Sequence, residues 1–401
     1  VGNMKKISIF MVFVIFICTG CLWKSQTQQT TPEYENQIDA TTENETASNV
    51  DLEQQKEYFL NQKIASMTLE QKVGQLFFCS FRKDEQNLPV TVCNESIANT
   101  IKQYHIGGVV LFGENIDTKQ QTKQLIADMR SHSDIPLFIA VDEEGGRVSR
   151  LHASGNMQVA DVPTAKEIGD TNDTNVSYEY AKIIGSELKE LGFDVDFAPV
   201  ADVNTNAYNI VIGDRAFSSD ANIAGDMVSA FVKGLQEQNI SACAKHFPGH
   251  GDTTEDSHNG IALANHTLQQ MQQTEWLPFQ KAIEQNVDFI MAGHITTPNA
   301  TTDGLPASLS HEMLTEQLRN NMHFDGIIIT DALDMGAITK YYENAPFDAV
   351  CAGADMVLMP FELQKSYETI CHAVKEGIIT EQELNQKVKR ILSLKYDKGY
   401  F

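Results

Sequence analysis

The chain is short of several things, and each shortage removes a class of protein. It has seven cysteines in 401 residues, and two of them, Cys18 and Cys21, lie in the N-terminal stretch. The other five, Cys79, Cys93, Cys243, Cys351 and Cys371, are odd in number and irregular in spacing. They form no Cys-x-x-Cys pair and no Cys/His ligand pattern, so neither a disulfide framework nor a zinc module is indicated. Cys243 and Cys351 stand in apolar company, as inert core cysteines do. Bases are scarce as well: 30 Lys and Arg face 54 Asp and Glu, a formal charge of −24. A surface of that sign repels phosphate backbones, so no nucleic-acid partner is expected. A long apolar run is also missing. The most apolar stretch, 7–17, is too short to span a bilayer comfortably.

What is present begins with that stretch. Lys5 and Lys6 precede it, and Cys18-Thr19-Gly20-Cys21 follows it. A basic start, a short apolar segment and small residues before a break read as a signal peptide over 1–20. Thr19-Gly20 before Cys21 resembles a bacterial lipobox, although Cys18 stands where leucine is usual; the expectation is lipidation at Cys21. The protein is then exported and lipid-anchored to the outer face of the cell membrane. Residues 21–56 are rich in Gln, Thr, Asn and Glu, and are expected to form a flexible tether. Order is expected from about 57 onward, where Thr68 and Gln71 form a capping-box pattern at a helix start.

Hydrophobic content of 42% and charged content of 21% are those of a globular domain. Eight short apolar runs, at 75–79, 108–112, 136–142, 195–200, 242–247, 288–292, 326–331 and 355–359, alternate with helical patterns such as 117–131, 178–191, 223–238 and 268–284. Eight near-continuous apolar strands separated by helices predict a single α/β domain over 57–401, a (β/α)8 TIM-type barrel. A doubly wound sheet is the alternative. Segment 381–394 reads as a final helix on the outside.

Polar residues gather where these runs end. The third leads into Asp142-Glu143-Glu144, the fourth to Asp202 and on to Asp214-Arg215, the fifth carries Lys245-His246, the sixth ends in Gly293-His294 and the seventh in Thr330-Asp331. In a parallel barrel all of these meet at one mouth. Segment 245–258 packs three histidines and three acids beside a proline and two glycines, a mixture that neither a core strand nor a surface helix needs. Asp331, after an apolar strand, is a helix cap or a catalytic carboxylate. Asp256 and His258 are a possible proton-transfer pair, because imidazole titrates near neutrality. Arg150, Arg215, Lys245 and Asp142 suit sugar hydroxyls, each both donor and acceptor, or brace loops as salt bridges. A second reading has His246, His250, Asp252, Asp256 and His258 holding a divalent metal, against which the ammonium of Lys245 argues.

Together these residues resemble glycoside hydrolase family 3, in particular its single-domain bacterial β-N-acetylhexosaminidases. The matching segments are 141–150, 192–202, 212–217, 244–258, 291–294 and 328–335, within about 60–395. The resemblance implies a retaining exo-β-N-acetylglucosaminidase that removes non-reducing terminal N-acetylglucosamine from peptidoglycan fragments, in cell-wall turnover. It implies Asp331 as nucleophile, His258 as general acid/base with Asp256 as its partner, and Asp142, Arg150, Arg215, Lys245 and His246 as binders of sugar hydroxyls. Two-domain members take their acid from a C-terminal domain, whereas here it is expected from the barrel itself. No metal or organic cofactor is implied, and a monomer is expected. Departures from the family pattern are Glu143 where glutamine is common, Ala216 where serine is common, and Ala332 where Asp or Ser often follows the nucleophile. A phosphorylase of the same family and a metal-dependent barrel hydrolase are the alternatives.

Overall fold

A computed structural model describes residues 40–253, 260 and 262–401, with side chains from 52 onward. Signal peptide 1–20, Cys21, and the Asp256 and His258 pair fall outside the described residues. So does the part of the expected tether before Ala40.

The eight apolar runs all become strands of one parallel sheet. They are β1 (Phe77–Ser80), β2 (Gly108–Val110), β3 (Phe138–Val141), β4 (Val195–Asp196), β5 (Ser241–Phe247), β6 (Phe289–Ala292), β7 (Ile327–Thr330) and β8 (Val357–Leu358). Neighbours run in the order β7-β6-β5-β4-β3-β2-β1-β8. Closure comes from β7 against β8. The Asp355 amide donates to the Ile328 carbonyl at 2.8 Å, the Thr330 amide to the Met356 carbonyl at 3.2 Å, and the Leu333 amide to the Leu358 carbonyl at 2.9 Å. A doubly wound sheet would leave those two strands as open edges, so the barrel is the fold. Burial on both faces explains the composition: β3, β6 and β7 are buried at every position. Phe138 and Phe289, on different strands, meet inside at a ring separation of 5.9 Å.

Helices cover the outside. Thr68 caps Leu69–Gly74 and closes a capping box with Gln71, as the sequence pattern requires. The 268–284 pattern is two helices, Leu268–Gln273 and Leu277–Glu284, because Pro278 opens the second and cannot continue the first. The last helix, Glu381–Asp397, runs one turn beyond expectation.

Two expectations need correction. Residues 40–56 of the expected tether are helical, part of Ala40–Ser66. Glu, Gln and Lys are good helix formers, and extending a nucleated helix costs little per residue. The end of that helix is held by burial of Leu60 and Ile64 and by ion pairs from Lys56 to Asp397 and Lys389 to Glu57. Cys351 is exposed rather than a core residue. It lies on helix Ala345–Ala352, whose buried face is Ala345, Pro346, Ala349, Val350 and Ala352.

The N-terminal ends of the strands are tied by buried charge. Asp194 accepts the Ile139 amide at 2.7 Å and Arg130 at 2.6 Å. Asp355 accepts the Ile328 amide at 2.9 Å and Arg319 at 2.6 Å. Lys395 fills the bottom, donating to Gln75 at 2.6 Å and to the Gly107 carbonyl at 3.1 Å. Polar groups at this end hold the barrel shut and leave the opposite mouth for chemistry.

Candidate active site

The C-terminal mouth holds a cavity of about 320 Å³. Its wall includes Asp142, Arg150, Arg215, Lys245, His246 and Asp331, which are six of the eight residues singled out for catalysis or sugar binding. A larger hollow of about 600 Å³, lined by Asp288, Asp325 and Asp397, opens at the other end of the barrel. It lies among the groups that tie the strand starts, so size does not select it as the site.

Lys245 is the hub of the first cavity. Its ammonium lies 2.7 Å from Asp142 Oδ1 and 2.7 Å from Glu144 Oε1. Glu144 takes the Arg215 fork through both oxygens, at 2.8 Å each. Arg150 reaches Asp142 Oδ2 at 3.5 Å. Burial works against the charges of Lys245, Arg215 and Glu144, yet their partners outweigh it. Lys245 and Arg215 are held above their ordinary values, and Glu144 below its own. The network is therefore a fixed array of charge-assisted donors and acceptors. Arg150 Nε is buried with no hydrogen-bond partner, a donor left over for a substrate oxygen.

Lys245 and His246 are neighbours on β5, and adjacent strand residues normally face opposite sides. Both line the cavity because the pairing register of β5 against β6 shifts between Lys245 and Phe247. Asp202 then fixes the imidazole. Its Oδ2 accepts from Nδ1 at 2.8 Å, and its Oδ1 accepts the His250 amide at 2.6 Å. With its proton on Nδ1, His246 presents Nε2 as an acceptor, 3.5 Å from Arg215.

Asp331 closes the opposite side. Its amide donates to the Ala292 carbonyl at 2.8 Å. Its Oδ1 accepts the Ala332 amide at 2.7 Å, so the side chain is held by its own neighbour and does not cap a helix. Burial pushes this carboxyl up. His294, His246, the Ala332 amide and Lys245 outweigh it, so the group sits below the usual Asp range and is ionised at neutral pH. His294 Nε2 donates to the Ala332 carbonyl at 2.9 Å, and Nδ1 meets Ser308 Oγ at 2.8 Å. That pairing supports the turn on which Asp331 stands.

The described members of the proposed metal cluster have separate partners. His246 turns to Asp202, His250 Nδ1 to Thr253 Oγ1 at 2.6 Å, and Asp252 accepts from Thr205 at 3.1 Å. Among the described residues no three His, Cys, Asp or Glu side chains converge as metal ligands.

Several residues of the site went unassigned in the sequence. Glu144 was visible in the run after β3, and its spacing of two from Asp142 was the available signal. Arg82, Phe112 and Asp334 also line the cavity. They follow β1, β2 and β7 without any local motif, and only closure of the barrel brings them together. Phe112 carries Arg82 on its ring at 4.5 Å and Arg150 at 5.7 Å.

A closed (β/α)8 barrel with a charged, sugar-sized hollow at its C-terminal mouth is thus the class that fold and site define. Residues 68–394 match the Glycosyl hydrolase family 3 N terminal domain, and the chain belongs to that family. It is 33% identical to Beta-hexosaminidase A of Pseudoalteromonas piscicida, over 82% of this chain and 61% of that protein. It is 35% identical to a Beta-hexosaminidase of Hydrogenovibrio crunogenus, over 63% of this chain and 71% of that protein. Among solved structures, a glycoside hydrolase family 3 beta-N-acetylglucosaminidase from Paenibacillus sp. superposes with a TM-score of 0.78 at 35% identity. That alignment covers 83% of this chain and 63% of the other. The chain therefore spans somewhat under two thirds of the length of the first and third of these relatives.

Proposed function

We propose that this protein is a retaining exo-β-N-acetylhexosaminidase that releases terminal N-acetylglucosamine from peptidoglycan fragments. The observation that carries this reading is the polarity of the cavity. One end is an array of Lys245, Arg215, Asp142 and Glu144 that suits vicinal hydroxyls, and the other presents the ionised Asp331. A pyranose held by its hydroxyl end would offer its anomeric carbon to that carboxylate. The kinship with proteins named as β-hexosaminidases and as a β-N-acetylglucosaminidase supports the choice of sugar.

In the proposed cycle an Asp331 oxygen attacks the anomeric carbon while the glycosidic C–O bond breaks. His258, partnered by Asp256, gives its proton to the departing oxygen. Water then loses a proton to His258 and attacks the same carbon, which frees Asp331 and returns the sugar with its original configuration. Most retaining glycosidases use two carboxyl groups about 5–5.5 Å apart. A histidine donor avoids placing a second anion near Asp331. Export through residues 1–20 and lipidation at Cys21 would place the enzyme on the outer face of the membrane, where wall fragments occur.

The test is hydrolysis of p-nitrophenyl N-acetyl-β-glucosaminide by wild type and by Asp331→Ala. Wild-type turnover surviving in the variant would exclude the nucleophile. His258→Ala should spare the glycosylation step for a 2,4-dinitrophenyl leaving group, which needs little protonation. Sugar 1-phosphate as the product in phosphate buffer would convert the assignment to phosphorolysis.

A further inference from the structure

At the end of the barrel away from the sugar cavity lies a hollow of about 390 Å³. Arg319, in its lining, reaches the Gly326 carbonyl just before β7 at 2.8 Å, and Lys387 the Ala354 carbonyl just before β8 at 2.8 Å. Arg390 is the third cation on its wall. In a chain with 54 acids and 30 bases, three cations around one hollow run against the composition. We propose that this hollow binds a small doubly charged oxyanion, inorganic phosphate or a phosphomonoester, at a site separate from the sugar cavity.

Charge balance is the first argument. Asp355, fully buried, is shared between both guanidiniums: Oδ2 accepts Arg319 at 2.6 Å and the Ile328 amide at 2.9 Å, and Oδ1 accepts Arg390 at 3.0 Å. Glu383, the one acid in the lining, is exposed and turned to Thr380, whose amide and hydroxyl it accepts at 2.7 and 2.8 Å. Lys387 has no anion of its own. It is 8% exposed, and among the described residues no carboxylate lies within ion-pair distance of its ammonium. An ammonium carries three N–H donors, and the Ala354 carbonyl takes one. A buried charge left in that state costs stability unless a counter-ion joins it. Burial holds Lys387 below the ordinary lysine value, and although Asp355 opposes the shift, Arg390 and Arg319 add to it.

Shape is the second. Helix Glu312–Asn321, which brings Arg319 to the hollow, is wound with i→i+5 bonding, closed by the Met322 amide on the Gln317 carbonyl at 2.9 Å. Such wide turns are frequent at functional sites. Arginine forks match the oxygens of a tetrahedral anion, and the lysine adds a point charge. The volume exceeds a bare phosphate, and Val350, Ile378 and Ile379 give one side an apolar surface on which the organic part of a phosphomonoester would rest.

The experiment measures melting temperature and calorimetric binding of the full chain with potassium phosphate, with glucose 6-phosphate, and with potassium chloride at matched ionic strength. Phosphate should raise the melting temperature in a saturating manner that chloride does not reproduce. Tighter binding of glucose 6-phosphate would assign the site to phosphomonoesters, and equal binding to the free anion. Lys387→Met should weaken binding at least tenfold, the worth of one hydrogen bond from a charged donor. Without anion the same variant should melt as high as wild type or higher, because a buried charge has been removed. Should Lys387→Met fail to fold, Arg390→Gln, at a side chain 29% exposed, should weaken binding in the same way. No rise beyond that in chloride would overturn the proposal. So would an equal rise in wild type and variants, which would place the phosphate elsewhere, or a folded Lys387→Met that melts clearly lower without anion, which would mark the lysine as a structural group.

Discussion

Lys245 and Glu144 meet at 2.7 Å with side chains only 3% and 5% exposed. A pair so far from water is stable only while both charges are present. Removing one partner of a buried pair costs roughly 3–5 kcal/mol, because the other charge stays behind uncompensated. Glu144→Gln keeps the shape but strips Arg215 of its carboxylate and leaves Lys245 with Asp142 alone. The expected result is a clearly lower denaturation midpoint, together with a kcat/KM reduced by on the order of a hundredfold as the two cations lose their aim. Urea unfolding and steady-state kinetics on the same preparations would check it. A variant matching wild type in both would mean that the network neither braces the mouth nor positions substrate.

How much of this was legible in the sequence depended on distance along the chain. Each strand carries its own signal, since burial on both faces demands an unbroken aliphatic run such as Ile327-Ile328-Ile329. Asp142, Lys245, His246 and Asp331 could be picked out because each ends such a run. Arg82 could not. It follows β1 by sequence but acts through Phe112 and Asp334, partners 30 and more positions away, and no local pattern encodes that meeting. The helix over 40–56 was hidden for a different reason. Its composition has too little apolar surface to indicate order, and its continuation past 56 supplies the anchoring burial.

Glu143 tests a departure from the family pattern. Its Oε2 accepts the Arg150 amide at 2.8 Å and the Leu151 amide at 3.0 Å, and Ser149 donates to its other oxygen. Burial is nevertheless the largest influence and lifts the carboxyl above its ordinary value. A carboxyl raised on folding gives its full stabilisation below the unfolded value and loses it as pH rises through the folded one. Glutamine can take the same amides and never ionises. Glu143→Gln should therefore gain in melting temperature relative to wild type as pH is raised from about 4 toward neutrality. A difference independent of pH would show that folding does not raise this carboxyl.

Asp331 sets the acid side of the activity profile. Burial raises its carboxyl, but His294, His246, the Ala332 amide and Lys245 bring it below the ordinary Asp value. The attacking species is the carboxylate, which persists above that depressed value and is lost as pH falls through it. The acid limb of kcat/KM attributable to this group should accordingly lie below about pH 4. Replacing His294 with Gln removes the largest of the lowering influences and should move the limb upward. A profile unmoved by that change would detach the limb from Asp331.

The tautomer of His246 offers the most selective test, because Asp202 controls it from outside the cavity. Asp202 is fully buried and accepts the Nδ1 proton, leaving Nε2 as an acceptor beside Arg215. Asp202→Asn can keep the oxygen that receives the His250 amide while placing an NH2 group opposite Nδ1. The ring must then carry its proton on Nε2, where it confronts the Arg215 donor and offers the sugar a donor in place of an acceptor. Losing the one hydrogen bond that this reversal removes should cost about tenfold in substrate binding. KM should bear most of that loss, with the melting temperature little changed. Nitrogen chemical shifts of the His246 ring should report the proton moving from Nδ1 to Nε2. A purely structural Asp202 would lower the melting temperature and leave the tautomer where it was, and that outcome would remove Asp202 from any part in substrate recognition.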